Sequence, residues 1–523
     1  MPLSPWNSKL RDWQAKAVSA ALCHRAADFL ATATPAAGKT RFALRIAHQY
    51  LSDRVANRVL VICPTNHLRG QWADAAAQVG IQLDPALTNE QVWEAGDYHG
   101  AVVTYQQVCL APELFRQTCG SRRTVLVFDE LHHAGDGKDW GVALRQAFSE
   151  AVFRLALSGT PFRSDNHPIP FVRYERGESQ ADFSYGYADA IRDGVCRPIL
   201  FPSYEGELTW LSDGREHRAM FEDGLTFERQ RERLKTALLQ DTWLGSVIAD
   251  AHAELCRLRK QEQPDAGGLI VAMSQEHARQ VAELVHRITG SRPQIAVSDD
   301  PAASHTIGAF AEHKRQQWLI AVNMVSEGVD IPRLRVGVYA TNVLTEMYFR
   351  QVVGRFVRMQ DGLPKPQRAW LYLPKDATLV HLAKRIKAER DHVLEEVMPS
   401  VQRTLFGSAA ESLKEYVPLK GVARIDALIG DDESESGSAA KAAAPTPVPL
   451  HDRKQALREQ HRVLVGVVAR THNVDHRRLN AELIKRTGGR VDQATTHQLE
   501  RRIALLKQWR DSGFAGRGRM SPL

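Results

Sequence analysis

Two short segments of the sequence have residue types that could bind a phosphate-bearing ligand and a metal ion. The first, residues 33–40, consists of small residues and ends in Gly38, Lys39 and Thr40, directly before a segment of helical periodicity. Small residues let backbone N–H groups face phosphate oxygens, and a helix N-terminus adds positive charge. The pattern predicts a P-loop in which Lys39 contacts the β and γ phosphates of ATP and Thr40 ligates Mg²⁺. The residues predicted to bind ATP here are Thr34, Pro35, Ala36, Ala37, Gly38, Lys39 and Thr40.

The second segment, residues 125–132, is an apolar run that ends in two carboxylates, Asp129 and Glu130. Carboxylates at the C-terminal end of a parallel strand suit a Mg²⁺ site. Asp129 is predicted to hold the metal with Thr40, and Glu130 to orient and deprotonate the attacking water. Lys39, Asp129 and Glu130 are therefore predicted to be catalytic.

Alternation of short apolar runs with helix-period segments predicts the strands that must carry these residues. The apolar runs of the first third are 29–33, 59–63, 101–104, 125–128 and 153–157. Those of the later part are 269–273, 294–297, 318–322, 336–340 and 369–373. Runs that are apolar on both faces indicate strands covered by helices on both sides. The sequence therefore predicts an α/β protein with two tandem doubly wound parallel sheets.

The places where this alternation of strands and helices breaks predict the domain boundaries. The first α/β domain is expected at 1–165, a connector or insertion at 166–240, and the second α/β domain at 241–400. A helical extension is expected at 401–430. Residues 431–449 are acidic and then rich in Ala and Pro, which is typical of a flexible linker.

The last segment, 450–523, is predicted to be a small helical module with helices near 461–469, 477–485 and 496–509. Residues 451–523 hold 16 Lys and Arg against 7 Asp and Glu, or +9, whereas the whole chain has a net charge of +7. This excess favours a DNA-binding module. The alternative is a solvated helical bundle that contacts a protein partner.

Composition excludes several other classes of protein. None of the six cysteines forms a C-x-x-C pair, which argues against a zinc ribbon or a disulfide framework. His472, His476 and His497 have no cysteine nearby, so a metal site there is not expected. The first residues form no apolar signal core, and no run reaches the length of a membrane span. We expect a cytoplasmic protein without a membrane partner.

The order of these motifs resembles that of superfamily 2 helicases and translocases, over about residues 5–375. Asp129-Glu130-Leu131-His132 resembles a DExH-type motif II. The other motifs are similar at 10–14 (the adenine-reading element), 63–68 (Ia), 103–105 (Ib), 158–162 (III), 323–332 (V) and 351–358 (VI). The form of motif III and the stretch 185–198 favour the branch with restriction-enzyme translocase subunits and related DNA repair helicases. Motif IV is poorly marked, with 272–274 as the best candidate.

The resemblance implies two RecA-like domains with ATP and Mg²⁺ between them. It further implies that Arg355 and Arg358 are catalytic and reach the γ-phosphate from one helix that carries Gln351 on the same face. Further ATP-binding residues implied are Arg11, Gln14, Gly328, Asp330 and Gln351. Coupling residues implied are His132, Ser158 and Thr160. Nucleic-acid-binding residues implied are Pro64, Thr65, Thr104, Tyr105, Val325 and Ser326.

The function predicted is ATP-driven movement on, or unwinding of, DNA. One alternative is an RNA helicase, but the DELH form of motif II and Gln351 at the start of motif VI differ from the DEAD-box RNA type. Another is an ATP-driven switch or translocase subunit of a restriction or antiviral complex that never separates strands. The sequence contains no convincing nuclease motif, so a restriction or repair role would need a nuclease or another defence or repair protein as partner. A P-loop kinase or transporter ATPase would leave motifs V and VI unexplained.

Overall fold

The computed structural model describes residues 3–90, 96–131, 140–159, 169–176, 178–297, 303–322, 331–360, 362–363, 367–391, 416–421, 423–429, 449–472 and 474–512. Several residues predicted above from motifs lie outside these ranges: His132, Thr160, Val325, Ser326, Gly328 and Asp330. Residues 431–448 of the predicted linker lie outside them as well.

The first unit is built on a seven-stranded parallel sheet. Its elements are α1 (Asp12–Cys23), β1 (Asp28–Ala33), α2 (Lys39–Ser52), β2 (Arg58–Cys63), α3 (Asn66–Gln78), β3 (Leu83–Asp84), β4 (Gly100–Thr104), α4 (Tyr105–Leu110), α5 (Pro112–Ser121), β5 (Thr124–Phe128), α6 (Trp140–Phe148), β6 (Phe153–Ser158), β7 (Arg173–Glu175), β8 (Glu178–Gln180) and β9 (Phe183–Tyr185). The strand order is β3-β4-β2-β5-β6-β1-β9, with β7 and β8 as a separate hairpin. Every residue of β2, β4 and β5 is buried, as expected for strands covered on both faces.

The second unit has its own seven-stranded sheet. Its elements are α7 (Tyr187–Arg192), β10 (Ile199–Glu205), β11 (Leu208–Ser212), β12 (Arg215–Ala219), α8 (Phe227–Leu239), α9 (Asp241–Gln261), β13 (Gly267–Ala272), α10 (Gln275–Thr289), β14 (Gln294–Val297), α11 (Ala303–Glu312), β15 (Trp318–Val322), β16 (Leu334–Ala340), α12 (Glu346–Phe356), β17 (Ala369–Pro374), α13 (Ala377–Asp391), β18 (Tyr416–Gly421) and β19 (Arg424–Ile429). The strand order is β14-β15-β13-β16-β17-β10-β19, and only β19 runs antiparallel to its neighbour. Strands β12, β11 and β18 form a third, small sheet. The predicted α/β class with two parallel sheets is confirmed.

The segment predicted as a connector, 166–240, contributes strands to both large sheets. Strand β9 pairs with β1 in the first sheet, and β10 lies between β17 and β19 in the second. The prediction of helix for 401–430 is wrong for the residues described there, because β18 and β19 are strands. Pro418 and Gly421 disfavour helix. Strand β19 pairs with β10, which is more than 200 residues earlier in the chain, and local sequence patterns do not predict such a pairing.

The C-terminal module consists of α14 (Leu450–His472), α15 (His476–Thr487) and α16 (Thr496–Ser512), each of which contains a predicted helix. It has its own apolar core, centred on Val468, Leu483 and Trp509. The module is attached to the first unit beside β4. Lys454 Nζ, with a fully buried side chain, lies 2.6 Å from Asp97 Oδ1, and Asp97 Oδ2 accepts from the Thr496 backbone N–H at 2.8 Å.

Among the helices of the described residues, none combines the length and the hydropathy that a membrane span requires.

Candidate active site

The P-loop connects β1 to α2 and turns sharply at its last glycine. Gly38 has φ 96° and forms the N-cap of α2. This backbone angle favours glycine, and a Cβ here would lie 2.8 Å from Gln14 Nε2, so the Gln14 side chain would have to move. Because the first N–H groups of α2, from Lys39 onwards, have no acceptor within the helix, they are available to an anion.

Helix α1 fixes the conformation of the P-loop through three side chains. Arg11 Nη1 donates to the Ala37 carbonyl at 2.7 Å, and Trp13 Nε1 donates to the same oxygen at 3.2 Å. Gln14 Nε2 donates to the Gly38 carbonyl at 2.9 Å. The structure therefore brings Arg11 and Gln14 to the loop, whereas their contact with ATP stays a prediction. Trp13 was not predicted, although a tryptophan between two polar site residues is a signal that could have identified it.

Lys39 forms an ion pair with the motif II glutamate. Lys39 Nζ lies 2.7 Å from Glu130 Oε1, and Glu130 Oε2 accepts from the Gly159 backbone N–H at 3.1 Å. Glu130 is the second residue after β5 and has a left-handed φ of 48°, a conformation that is uncommon for residues other than glycine. The contact joins the P-loop, motif II and the end of β6. An anionic phosphate would compete with the Glu130 carboxylate for the same ammonium group.

Asp129 is held by groups from three neighbouring elements. Its Oδ2 accepts from Trp72 Nε1 at 2.8 Å, its backbone oxygen accepts from the Tyr105 hydroxyl at 3.0 Å, and its N–H donates to the Ile62 carbonyl at 2.8 Å. Trp72 was missed by sequence reasoning; a lone tryptophan in an alanine-rich helix was the available signal. These contacts orient the carboxylate predicted to hold Mg²⁺ together with Thr40.

Tyr105 occupies a different place from the one predicted. It is 1% exposed, and burial, together with the nearby Asp129 carboxylate, raises the pKa of its hydroxyl well above the usual value. The resemblance implies that Tyr105 binds nucleic acid, but in this structure its buried ring has no exposed face with which to contact a base. The Tyr105 ring packs in the apolar core of the first unit, and its hydroxyl donates to the backbone oxygen of Asp129.

The remaining predicted residues of the first unit lie at the same edge of its sheet. Pro64 and Thr65 are half-buried after β2, with Thr65 as the N-cap of α3. Thr104 ends β4, and its Oγ1 accepts from the Gln107 N–H at 3.2 Å. Ser158 is buried at the end of β6. Because carboxyl ends of parallel strands share one edge, the structure brings these residues to the edge that carries the P-loop. Nucleic-acid binding by them, and coupling by Ser158, stay predictions.

Helix α12 of the second unit packs directly on the P-loop. A Cβ at Gly354 would lie only 2.4 Å from the Pro35 Cβ, so the two backbones approach closely. A cavity of about 130 Å³ lies beside this contact, lined by residues of both units that include Thr34, Gly159, Arg350 and Val353. The place predicted for ATP is thus the place where the two units meet.

The side chains of motif VI are divided between a helix and an extended segment. Gln351 and Arg355 belong to α12, but the helix ends at Phe356 and Arg358 pairs with Cys196 in an antiparallel bridge. The prediction that both arginines share one helix is therefore wrong. Burial lowers the pKa of Arg358 to about 10; the Cys196 thiol opposes this shift, and the Arg11 charge of the other unit adds to it. An anion beside Arg11 and Arg358 would relieve their mutual repulsion.

Arg197 contacts the chain at the end of α12, just before Arg358. It is fully buried, and its guanidinium donates to the carbonyls of Phe356 at 2.7 Å, Pro332 at 2.8 Å and Leu334 at 2.9 Å. Burial lowers its pKa to about 9, which still leaves it charged at neutral pH. Arg197 therefore satisfies the last carbonyl of α12 and sets the position of motif VI. Only its apolar surroundings in the sequence could have indicated this role.

We expect Arg197→Met to destabilise the second unit by about 3–5 kcal/mol, because two buried carbonyls and one partly buried carbonyl lose their donor. Urea denaturation monitored by tryptophan fluorescence measures the change. Arg192→Met, an exposed arginine of α7 paired with Asp189, is the matched control and should cost less than about 1 kcal/mol. An equal, small cost for both variants would contradict the assignment.

We expect Gly354→Val to reduce ATP hydrolysis by about tenfold or more, because the added side chain would collide with Pro35 and hold the cleft open. Pro35→Gly in the same chain should restore part of the loss by removing the obstructing ring. Steady-state hydrolysis of the two single variants and the double variant measures this coupling. Losses that simply add would show that the two residues do not act on each other.

Comparisons with known proteins agree with this architecture. Residues 7–163 match the family model described as type III restriction enzyme, res subunit. The chain is 46% identical over 397 residues to the uncharacterized protein Rv2917 of Mycobacterium tuberculosis, a match that covers 74% of this chain and 65% of that protein. It is 37% identical over 562 residues to the uncharacterized protein ML1624 of Mycobacterium leprae, covering 95% of this chain and 94% of the relative.

More distant similarities point the same way. The chain is 23% identical over 384 residues to the DNA 3'-5' translocase XPB2 of Sulfurisphaera tokodaii, covering 69% of this chain and 81% of that protein. Among solved structures, a fragment described as an HsdR subunit of a type I restriction enzyme from Vibrio vulnificus superposes with a TM-score of 0.51 at 17% identity, covering 73% of this chain and 67% of the fragment. That likeness is one of fold. The chain belongs to one family with the mycobacterial proteins, and the other similarities are consistent with a superfamily 2 helicase or translocase.

Proposed function

We propose that the protein hydrolyses ATP between its two α/β units and uses the energy to move on, or to unwind, DNA. The observation that carries the proposal is that the Lys39–Glu130 ion pair, with Asp129 beside it, and helix α12 of the second unit both lie at the P-loop. Phosphoryl transfer to water requires a cation that binds the phosphates, a metal ligand, a base and an arginine that stabilises the transition state. We assign these roles to Lys39, Asp129, Glu130 and the arginines Arg355 and Arg358.

The residues present fit a magnesium-bound triphosphate. The free N–H groups at the start of α2 and the Lys39 ammonium would bind phosphate oxygens, while Thr40 and Asp129 would hold the metal. Mg²⁺ would neutralise charge on the phosphate oxygens when bound. Lys39, once engaged by phosphate, would leave Glu130, whose carboxylate would then orient water and accept its proton. Arg355 and Arg358 would stabilise the charge of the transition state from the other unit.

DNA is the proposed track on three grounds. A relative over most of this chain is named a DNA translocase, motif II reads DELH, and motif VI begins with glutamine. Pro64, Thr65 and Thr104 at the sheet edge would contact backbone phosphates, a grip that does not depend on base sequence. A nuclease or a defence or repair protein would supply any cleavage.

The test is steady-state ATP hydrolysis by the purified chain with no nucleic acid, duplex DNA, single-stranded DNA and RNA. We expect stimulation of about tenfold or more by DNA and less by RNA, because binding should order the cleft. Greater stimulation by RNA would replace DNA with RNA as the track. A hydrolysis rate that none of the three nucleic acids changes would support the ATP site but contradict movement on a nucleic acid.

A second candidate is an ATP-driven switch subunit that changes shape without moving along DNA. The observation that favours it is the C-terminal module, which the buried Lys454–Asp97 ion pair anchors to the first unit as an additional surface for a partner. DNA-stimulated hydrolysis without displacement or strand separation on any substrate would favour this candidate.

A further inference from the structure

The C-terminal module contains a groove that the active site does not use. One face of α14 and one face of α15 form its walls, and the loop at 490–492 closes one end. Two adjoining cavities of about 750 and 500 Å³ make up the groove, and they share Arg458, Asn480 and Val491. Volumes of this size are those of ordinary small-ligand sites.

Three residues that line this groove each carry a buried side-chain nitrogen without a hydrogen-bond partner among the described residues: Arg458 (Nε), His461 (Nε2) and Arg502 (Nη1). Arg502 is fully buried, and its other nitrogens donate to Thr487 Oγ1 at 2.9 Å and to the Gly489 carbonyl. The guanidinium is therefore fixed, and the two N–H groups of Nη1 are left without an acceptor among the described residues. Buried donors are normally paired, so unpaired donors around one cavity indicate a missing acceptor.

The charges around the groove are unequal. Arg458, Arg462, Arg490 and Arg502 line it, against Glu459 and Asp492. Glu459 is paired with Arg462 at 2.7 Å, and Asp492 lies 3.6 Å from Arg490, so both carboxylates are already engaged. Asp492 still acts electrostatically on Arg502, and Asp84 of the first unit on Arg458. The lining keeps a positive excess.

His461 responds to the same charges. It is 4% exposed, and burial, with the Arg502 charge adding to it, lowers the pKa of its imidazole to about 4. The ring is neutral near pH 7, and its Nε2 can donate to an acceptor in one tautomer. An anion beside Arg502 would offset the repulsion and move the pKa of His461 upwards.

We propose that this groove binds a phosphate group, carried either by a nucleic-acid strand or by a free nucleotide or phosphate. Arginine forks match phosphate oxygens in geometry and charge, and several converging N–H donors suit a tetrahedral oxyanion. Val465, Val491 and Ile484 border the groove, and Ile484 is 41% exposed, so the face of a base would have an apolar surface beside the phosphate. The proposal does not depend on ATP hydrolysis.

The test uses the full chain carrying Lys39→Ala, so that the P-loop does not compete for phosphate. The probes are a fluorescently labelled single-stranded DNA followed by anisotropy, and inorganic phosphate followed by the histidine NMR resonance that His461→Gln removes. Arg458→Gln should weaken DNA binding by about tenfold and reduce the slope of log K against log salt by about 1. Arg470→Gln, an exposed arginine of α14 outside the groove, is the matched control and should change binding less than about twofold.

A second variant distinguishes loss of ligand binding by Arg458→Gln from a change in the structure of the module. Arg462→Gln removes an exposed groove charge and leaves the Arg458 hydrogen bond to the Asp492 carbonyl intact, so it should weaken binding in the same direction. Loss of phosphate binding with unchanged DNA binding would identify a free phosphate or nucleotide as the ligand. Unchanged affinity for both probes, or equal losses with Arg470→Gln, would overturn the proposal, whether or not the chain hydrolyses ATP.

Discussion

Arg355→Ala is expected to lower the kcat of ATP hydrolysis by about a thousandfold, while ATP affinity changes by less than about threefold. Arg355 lies in the last turn of α12, the helix whose Gly354 packs on Pro35 of the P-loop. From there its guanidinium would meet the charge that develops on the γ-phosphate in the transition state. An interaction made mainly in the transition state affects kcat far more than binding.

The control for this variant is Arg385→Ala, an exposed arginine of α13 that pairs with Glu346. It removes the same charge from an exposed position of the same unit, and its kcat should stay within about twofold of the unmodified chain. Stopped-flow measurement with a fluorescent ATP analogue gives the affinity, and phosphate release gives the rate. A fall in affinity with an unchanged kcat would assign Arg355 to binding and remove it from catalysis.

Glu130→Gln is expected to lower the rate of ATP hydrolysis to about one thousandth of the original rate, while ATP affinity stays unchanged or increases. The carboxylate is the proposed base, and it also holds Lys39 at 2.7 Å. An amide cannot accept the proton and attracts the ammonium less, so Lys39 becomes more available to phosphate. Glu150→Gln, an exposed glutamate that pairs with Arg116, is the control for loss of a carboxylate.

Lys39→Ala provides the contrast to Glu130→Gln. We expect it to remove both binding and hydrolysis, because Lys39 supplies the ammonium group that would bind the phosphates at the P-loop. Hydrolysis that survives Lys39→Ala, or ATP binding that Glu130→Gln weakens as strongly as Lys39→Ala does, would contradict the proposed division between binding and catalysis.

The sequence predicted the strands and the P-loop well because their signals are local. Runs that are apolar on both faces became buried parallel strands, and Gly38 occupies a left-handed position that its neighbours require. The motif order located Lys39 and Glu130, and the structure brings them into contact over 91 residues of chain.

The residues that sequence reasoning missed act through long-range contacts. Trp72 orients Asp129 from another helix, and Arg197 satisfies carbonyls that lie more than 130 residues away. Arg358 leaves the predicted helix because its backbone pairs with Cys196. Periodicity along the chain contains no information on such partners, and only packing determines whether Tyr105 is exposed or buried.

The central claim is that ATP hydrolysis drives movement along DNA, and displacement of a third strand from a triplex on duplex DNA tests it most directly. The account predicts displacement that requires ATP, fails with a non-hydrolysable analogue, and is absent in Glu130→Gln. Hydrolysis that duplex DNA stimulates, without displacement in either direction along the duplex, would contradict it and leave an ATP-driven switch in place of a motor.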